Sequence, residues 1–554
     1  MEKDIIIHSG KVLTMDESRP NAEAIHIKRN IIEGIGSNPE ILSKQQHDTK
    51  IISAEGKTIM PGFIDSHIHI FPGSDSLGKL NLTNAYTFDE VKNLTQKYIN
   101  ENEDLNFIEG TGVHYSVFKE AEKATRLQLD EIIEDKSLLL IAPDHHSGWA
   151  NTKALSEASI LEGFALPEGN EVVMSADGYA EGMLKENEAI KLVSAQQLPR
   201  RSRLGLDTGG EPSPEPDDQE RNIDKKILKK GLAHLAKLGI TSVHNMDGNF
   251  YTLELLDEIQ RENSLTCRVK VPFHFKPEMD AKKLDSALEM HRKWNTPFLN
   301  SGLVKFFMDG VIGSGTAFLI DDYADTPKWK GEALFSEDRF KKLVTKVDEM
   351  GLQIAVHAIG DAAVNRVLNA YDYARKVNGR RDSRHRIEHI ELIQKSDIKR
   401  LKELDVIASM QPVHPPGSDG LPLEPELSKI GKNRFNEAYA WKSIKTCGSI
   451  VIFSTDWPVS NVDPLNCIFN ALNRELWTKE TMDQRLNLYE TLSAYTKLGA
   501  YAEFKETKKG MLKEGYFADL IILSDDIDQI KSAQIKELEV ELTMVDGKIV
   551  YKKN

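Results

Sequence analysis

The chain has 554 residues, too many for one hydrophobic core, so one large domain with additions or two to three domains are expected. Its 40% hydrophobic and 28% charged residues are ordinary for a soluble globular protein, and a net charge of −15 argues against a nucleic-acid or anionic-membrane partner. Three cysteines, Cys267, Cys447 and Cys467, with no Cys-x-x-Cys pair, exclude a disulfide framework and a cysteine zinc finger.

The start, MEKDIIIHSGKVLTMD, is acidic and lacks a long apolar run, so it does not read as a signal peptide. No later segment approaches the roughly 18 apolar residues of a membrane helix, and a cytoplasmic protein is expected. KDIIIHSGKVLTMD and AEAIHIKRNIIEGIG are short β-rich runs broken by Gly, Asp and Asn. Next comes IMPGFIDSHIHI, Ile59 to Ile70, where an apolar strand carries His67 and His69 on one face, two positions apart. Two readings stand at this point. The histidines are satisfied by hydrogen bonds near a strand end, or they open a metal site, since neutral imidazole is the commonest metal ligand.

About 150 residues then separate this run from the next, against roughly 250 for a whole barrel. That is too long for a loop, and an inserted subdomain is expected at about 72–228. It holds the strand-like LNFIEGTG and SLLLIAPD, and a Pro/Gly/acidic segment, DTGGEPSPEPDDQE, that reads as a loop. Beyond it, buried runs alternate with amphipathic segments: GITSVHNMD, CRVKVPFHF, LVKFFMDG, LQIAVHAIGD, HRIEHIELI, DVIASMQPVH and SIVIFSTDWPV. With the first run they number eight, the count of a (β/α)8 TIM-like barrel. SEDRFKKLVTKVDEMG and GDAAVNRVLNAYDYARKV carry apolar residues at helical spacing. At the far end ADLIILSDD and VELTMVDGKIVYKK are β-rich again, with an Asp-Gly hairpin signal. Neither end can bury a sheet alone, since roughly 40 residues is the lower limit. Residues 1–58 and 506–554 are therefore expected to form one small β-sandwich beside a barrel at 59–505.

Barrel chemistry sits where strands end. Run one ends in His67 and His69, run four carries Lys305, run five ends in His357, run six carries His389 and run eight ends in Asp456. Each alone is a common strand-end cap, but six at successive ends are hard to explain separately.

PGFIDSHIHI, VKFFMDGVIGSGTA, VHAIGDAAV, HRIEHIELI, SMQPVH, FSTDWPVS and the late GYFADLIIL resemble the amidohydrolase superfamily of metal-dependent hydrolases, within it the YtcJ-like amidohydrolase-3 branch. DHHSGWANTKAL, Asp144 to Leu155, is similar to that branch's D-G-H-x-x-W-x-N-x-x-A-L stretch, with His145 where Gly is usual. The resemblance implies that His67, His69 and Asp456 bind one divalent metal and His357 and His389 a second. Zinc suits these nitrogen and oxygen ligands, though manganese, iron, cobalt and nickel also take them. Lys305 has two fates: it reacts with carbon dioxide to give an anionic carbamate that bridges two metals, or it turns away and pairs with Asp309. Relatives imply the carbamate. They also imply a hydroxide shared by two metals that attacks a carbonyl, with Asp456 as proton shuttle.

The expected activity is hydrolysis of a non-peptide C–N bond in a small amide, formamide or cyclic amide, and relatives leave room for a homodimer. For substrate contact the candidates are His146 and Trp149, in an insertion expected to overhang the mouth, and Gln411 with His414 at the end of run seven. Asp309 reads as an orienting group. The rival readings are a binding or regulatory barrel without turnover, and a metal-dependent lyase, isomerase or deaminase on the same residues. No P-loop and no G-x-G-x-x-G after a strand is present.

Overall fold

Aliphatic and aromatic runs supply ten parallel strands: β1 (Phe63–Ile68), β2 (Ile240–Asn245), β3 (Arg268–Lys270), β4 (Phe273–His274), β5 (Leu299–Asn300), β6 (Leu303–Phe307), β7 (Gln353–Ala358), β8 (Arg386–His389), β9 (Ile407–Met410) and β10 (Val451–Phe453). They come from a computed structural model that describes residues 4–82, 85–118, 125–142, 147–166, 170–196 and 210–553. The strands make two sheets, ordered β5-β3-β2-β1 and β4-β6-β7-β8-β9-β10. Burial is nearly complete along them, as parallel strands covered on both faces require.

The sequence predicts a (β/α)8 TIM-like barrel, and all eight runs form parallel strands in that order, but the pairing is interrupted and the strands fall into two sheets. The third run breaks, and a short extra strand, β5, precedes the fourth. Pro272 has no N–H to donate and divides β3 from β4. Gly302, at φ 106°, divides β5 from β6. β3 then pairs with β5 and β4 with β6, so the ladder parts there. At the other seam β1 and β10 share no ladder among the described residues. Single bonds join their ends instead: the Asp456 N–H donates to the His67 carbonyl at 2.9 Å, and the His69 N–H to the Trp457 carbonyl at 2.7 Å.

Helices flank the strands where the spacing predicts them. In Glu337–Glu349 the buried Phe340, Leu343, Val344 and Val347 form one stripe. In Asp361–Asn378 the stripe includes Val364, Val367, Leu368 and Tyr371, and the helix stops at Gly379, φ 88°. No helix among the described residues is long and apolar enough to cross a membrane.

The two chain ends supply a four-stranded and a six-stranded sheet. Ile5, Ile25 and Ile35 from one end share an apolar cluster with Leu520, Leu542 and Met544 from the other. Asp546 and Gly547 turn the final hairpin with φ of 54° and 74°. A Cβ on Gly547 would meet the Arg29 carbonyl oxygen at 1.9 Å, so only glycine fits.

The chain divides into two compact units. The first is Met1–Ser74, Gly205–Pro212 and Asp224–Asn554; the second is Asp75–Leu204 and Ser213–Ile223. The strands of both chain ends belong to the same unit as β1–β10. The second unit holds a six-stranded sheet in which Phe107–Thr111 and Ser137–Ile141 pair in parallel.

Candidate metal centre

The strand ends of the first unit bring four imidazoles together. Ring centroids of His67 and His389 lie 4.8 Å apart, His67 and His69 5.5 Å, and His357 and His389 4.6 Å. Asp456 Oδ1 reaches His69 Nε2 at 3.2 Å and His67 Nε2 at 3.4 Å. Backbone strain accompanies the placement: His389, Ile390 and Asp456 have φ of 75°, 49° and 61°. Such values are unusual outside glycine, most of all for a β-branched residue, and cluster at functional sites.

Each histidine is held from behind. His67 Nδ1 lies 2.7 Å from Glu388 Oε2, and His69 Nδ1 lies 2.8 Å from Asp247 Oδ2. An ionised carboxylate only accepts, so both Nδ1 atoms carry a proton, and Nε2 is the nitrogen each ring has left to offer a ligand. For His389 the holder is Gln411. Its Nε2 donates to Ser454 Oγ at 2.9 Å, which leaves Oε1, 2.9 Å from His389 Nδ1, as the acceptor. His357 Nδ1 stands 3.3 Å from Asp309 Oδ1, a carboxylate fixed by the N–H groups of Phe318, Ile359 and Gly360. Glu388 is itself gripped by Arg386, which also donates to the Ser66 carbonyl and Ser409 Oγ.

The electrostatics make His67 ligand-ready, while His69 holds a second proton that a bound metal would displace. Burial, helped by Lys305, pushes His67 down to about 3, so its ring is neutral. For His69 burial opposes the charge, but Asp247 and Asp456 outweigh it and raise the group to about 9. Burial also opposes ionisation of Asp456, yet His67, His69 and His389 hold it well below the usual carboxylate range. Lys305 is fully buried, and burial pushes it down to about 8 against the pull of Glu388 and Asp456.

Five buried polar atoms here complete no hydrogen bond: His67 Nε2, Lys305 Nζ, His357 Nδ1, His414 Nε2 and Asp456 Oδ1. Leaving such atoms dry and unpaired costs about 1–3 kcal/mol each. His67, His389 and Asp456 also offer ligand atoms within 4.8 Å of one another. Imidazole nitrogens and carboxylate oxygens without thiolate fit a divalent metal ion. This trio cuts across the grouping implied by the resemblance, which placed His389 with His357. A cavity of about 410 Å³ adjoins the cluster, lined by His67, His69, His357, His389, His414 and Asp456 among others.

Two substrate-contact expectations change. Gln411 is 2% exposed and positions His389 instead of lining the cavity. Trp149 lies in the apolar core of the second unit, 3% exposed, its ring 5.0 Å from Phe118. Its strand is buried on both faces, so alternation could not tell which way the indole points. His146 lies outside the described residues. Sequence reasoning missed Glu388 and Asp247 as histidine partners. Glu388 was visible only as a neighbour of His389 in HRIEHIELI, with nothing local to link it to His67.

Strands ending in histidines, a buried lysine and an aspartate around one cavity define the class of metal-dependent hydrolases. The model of the amidohydrolase family matches residues 50–551. The chain is 27% identical over 555 residues to the YtcJ amidohydrolase of Bacillus subtilis (strain 168), covering 99% of both. It is 24% identical to the N-substituted formamide deformylase of Arthrobacter pascens, covering 100% of this chain and 99% of that protein. The crystal structure of an uncharacterized metal-dependent hydrolase from Pyrococcus horikoshii OT3 superposes with a TM-score of 0.74 at 24% identity, over 96% of this chain and 99% of the other. The chain belongs to the amidohydrolase family, and it is an enzyme acting on carbon–nitrogen bonds.

Proposed function

We propose that the chain hydrolyses a non-peptide amide, with N-substituted formamides the first class to try. The observation that carries this is the convergence of buried His67 Nε2 and Asp456 Oδ1, neither completing a hydrogen bond, at one cavity, with the buried Lys305 Nζ close enough to act on both electrostatically. The name of the Arthrobacter pascens relative supports formamides as the starting point.

His67, His69, His357, His389 and Asp456 would hold the divalent metal, zinc by donor type, with two ions per chain. When bound, the metal supplies water that is acidic enough to react at neutral pH and polarises the carbonyl oxygen. The protein's part is positioning and proton transfer. Glu388, Asp247 and Gln411 fix the imidazoles so that no reorganisation is needed during reaction. Asp456, buried and ionised, takes the proton of the attacking water and passes it to the leaving nitrogen as the tetrahedral adduct collapses. Transfer of this kind contributes about 10²–10⁴-fold.

Lys305 would act as its carbamate. Only a neutral amine adds to carbon dioxide, releasing one proton as the N–C bond forms. Burial, which brings Lys305 to about 8, makes that neutral form accessible near neutral pH. The anionic product would then match the cationic metal.

The test is metal content by plasma mass spectrometry on the wild type and Lys305→Ala, with and without bicarbonate, followed by an N-formyl and N-acyl amine panel. About two metals per chain, a marked loss in Lys305→Ala, and release of amine plus acid are expected. A folded protein that takes up no zinc even with bicarbonate would refute the reading.

A further inference from the structure

Beyond the metal ligands, the cavity carries a second set of polar groups. Glu391 follows β8, His414 follows β9, and Glu426 opens the short helix Glu426–Ile430; all three line the cavity. Glu391 is 6% exposed and Glu426 is half-buried. Among the described residues neither carboxylate pairs with a lysine or arginine. The single ion-pair contact of Glu391 among the described residues is His414 Nδ1, 3.5 Å away.

Tyr439 closes the back of the set. Its backbone N–H donates to the Glu391 carbonyl at 2.8 Å, and its own φ is 48°. Its hydroxyl approaches both carboxylates without completing a hydrogen bond, although the residue is only 2% exposed. Burial keeps the phenol well above its ordinary value, so it stays neutral and keeps its O–H. Burial, then repulsion from Glu391, pushes the Glu426 carboxyl up. Two carboxyl groups and a buried hydroxyl thus face one space in which, among the described residues, no lysine or arginine pairs with them; His414, where burial opposes the charge but Glu391 and Asp456 raise the group, is the basic side chain beside them.

A small inorganic cation does not match. Among the described residues, the one group whose ligand atoms lie close enough to share an ion is His67, His389 and Asp456. The acidic set is wider, and the cavity wall also carries the apolar Val311, Leu421, Pro422 and Val459, with Glu424 and Ser460 as further polar members. Carboxylates spread beside aliphatic walls suit an alkyl chain that ends in an ammonium or guanidinium. The spacing to the reaction centre is also set. His414 lies between the two, with Nδ1 toward Glu391 and Nε2 3.7 Å from Asp456 Oδ2.

We propose that Glu391 and Glu426, backed by Tyr439, form a recognition subsite for a cationic nitrogen carried by the substrate, one imidazole width from Asp456. The substrate class is then an amide or formamide whose chain bears an ammonium or guanidinium group. This rests on the hydrolase reading above.

The test separates binding from turnover. Metal-loaded protein is titrated calorimetrically with butylguanidinium, which stays protonated and offers a metal no lone pair, and with neutral butylurea. Butylguanidinium is expected to bind at least ~10-fold tighter, the worth of one charge-assisted pair. That advantage is expected to vanish in Glu426→Gln and in Glu391→Gln. Equal binding of the two ligands to the wild type overturns the subsite without any variant, as does an advantage that survives both substitutions. In a second arm, mono-formylated butanediamine is compared with N-butylformamide. Hydrolysis of both with equal kcat/KM overturns the subsite and leaves the hydrolase reading standing. Glutamate-dependent guanidinium binding without turnover of any amide supports the subsite and overturns the hydrolase reading.

Discussion

Replacing Gln411 by Ala tests whether the groups behind the histidines set metal affinity. Gln411 Oε1 is the acceptor for His389 Nδ1, and His389 is 4% exposed, so water does not readily take over. An unpaired buried donor costs about 1–3 kcal/mol. At 1.4 kcal/mol per factor of ten, that is about 5- to 150-fold, in line with the roughly 10–100-fold typical when a partner of a metal-ligating histidine is lost. The assay is zinc competition against a chromophoric chelator, on metal-free wild type, Gln411→Ala and Gln411→Glu. Gln411→Glu keeps an acceptor and is expected to recover much of the loss. Thermal melts of the metal-free proteins report whether the fold survives. Affinity within about twofold of wild type in Gln411→Ala would refute the argument. So would equal losses in Gln411→Ala and Gln411→Glu at unchanged melting temperature.

Arg268 clasps Asp519 with Nε at 2.7 Å and Nη2 at 3.0 Å, and reaches Asp546 at 3.0 Å. Arg268→Met leaves the buried Asp519 carboxylate with only the Asp546 N–H and no cation, and is expected to destabilise the protein by about 3–5 kcal/mol in denaturant titration. At Asp348 burial opposes the charge, but hydrogen bonds from His385 and Asn378, with Arg381, hold the carboxyl well below its ordinary value. A depressed folded value means that this stabilisation is complete above the unfolded pKa of about 4 and is lost as pH falls through the folded one. The melting-temperature gap between wild type and Asp348→Asn is therefore expected to be widest near neutrality and to narrow in acid. Of the cysteines only Cys447 is exposed, while burial pushes the Cys267 thiol up to about 12. Native alkylation followed by peptide mass mapping is expected to label Cys447 alone.

How much of the site was legible follows from how local each signal is. His67 and His69 stand two apart on one strand, so their shared direction is a matter of chain geometry over three residues. Lys305, His357, His389 and Asp456 stand out because metal-competent residue types fall at the ends of apolar runs. The helices Glu337–Glu349 and Asp361–Asn378 were legible for the same reason, since their buried stripes repeat within one turn. His389 marks the limit. Alternation places Arg386 and Glu388 on one face and His389 on the other, yet Glu388 and His389 both serve the centre. The left-handed backbone at His389 and Ile390 breaks the alternation, and no local pattern announces it.

The sequence by itself determined the parallel strand–helix class, the metal-ligand types and their order, because these depend on periodicities of two and 3.6 residues and on side-chain chemistry. The tertiary structure alone decided which groups meet across long separations. Glu388 holds His67 from 321 residues away and Asp247 holds His69 from 178. It also decided that Gln411 faces His389, that Trp149 turns into a core, and that the ladder parts at Pro272 and Gly302. A strand offers two faces and several neighbours of equal local propensity. The choice among them is made by packing and by the cost of leaving a buried donor or acceptor unpaired, and both exist only once the distant segments have come together.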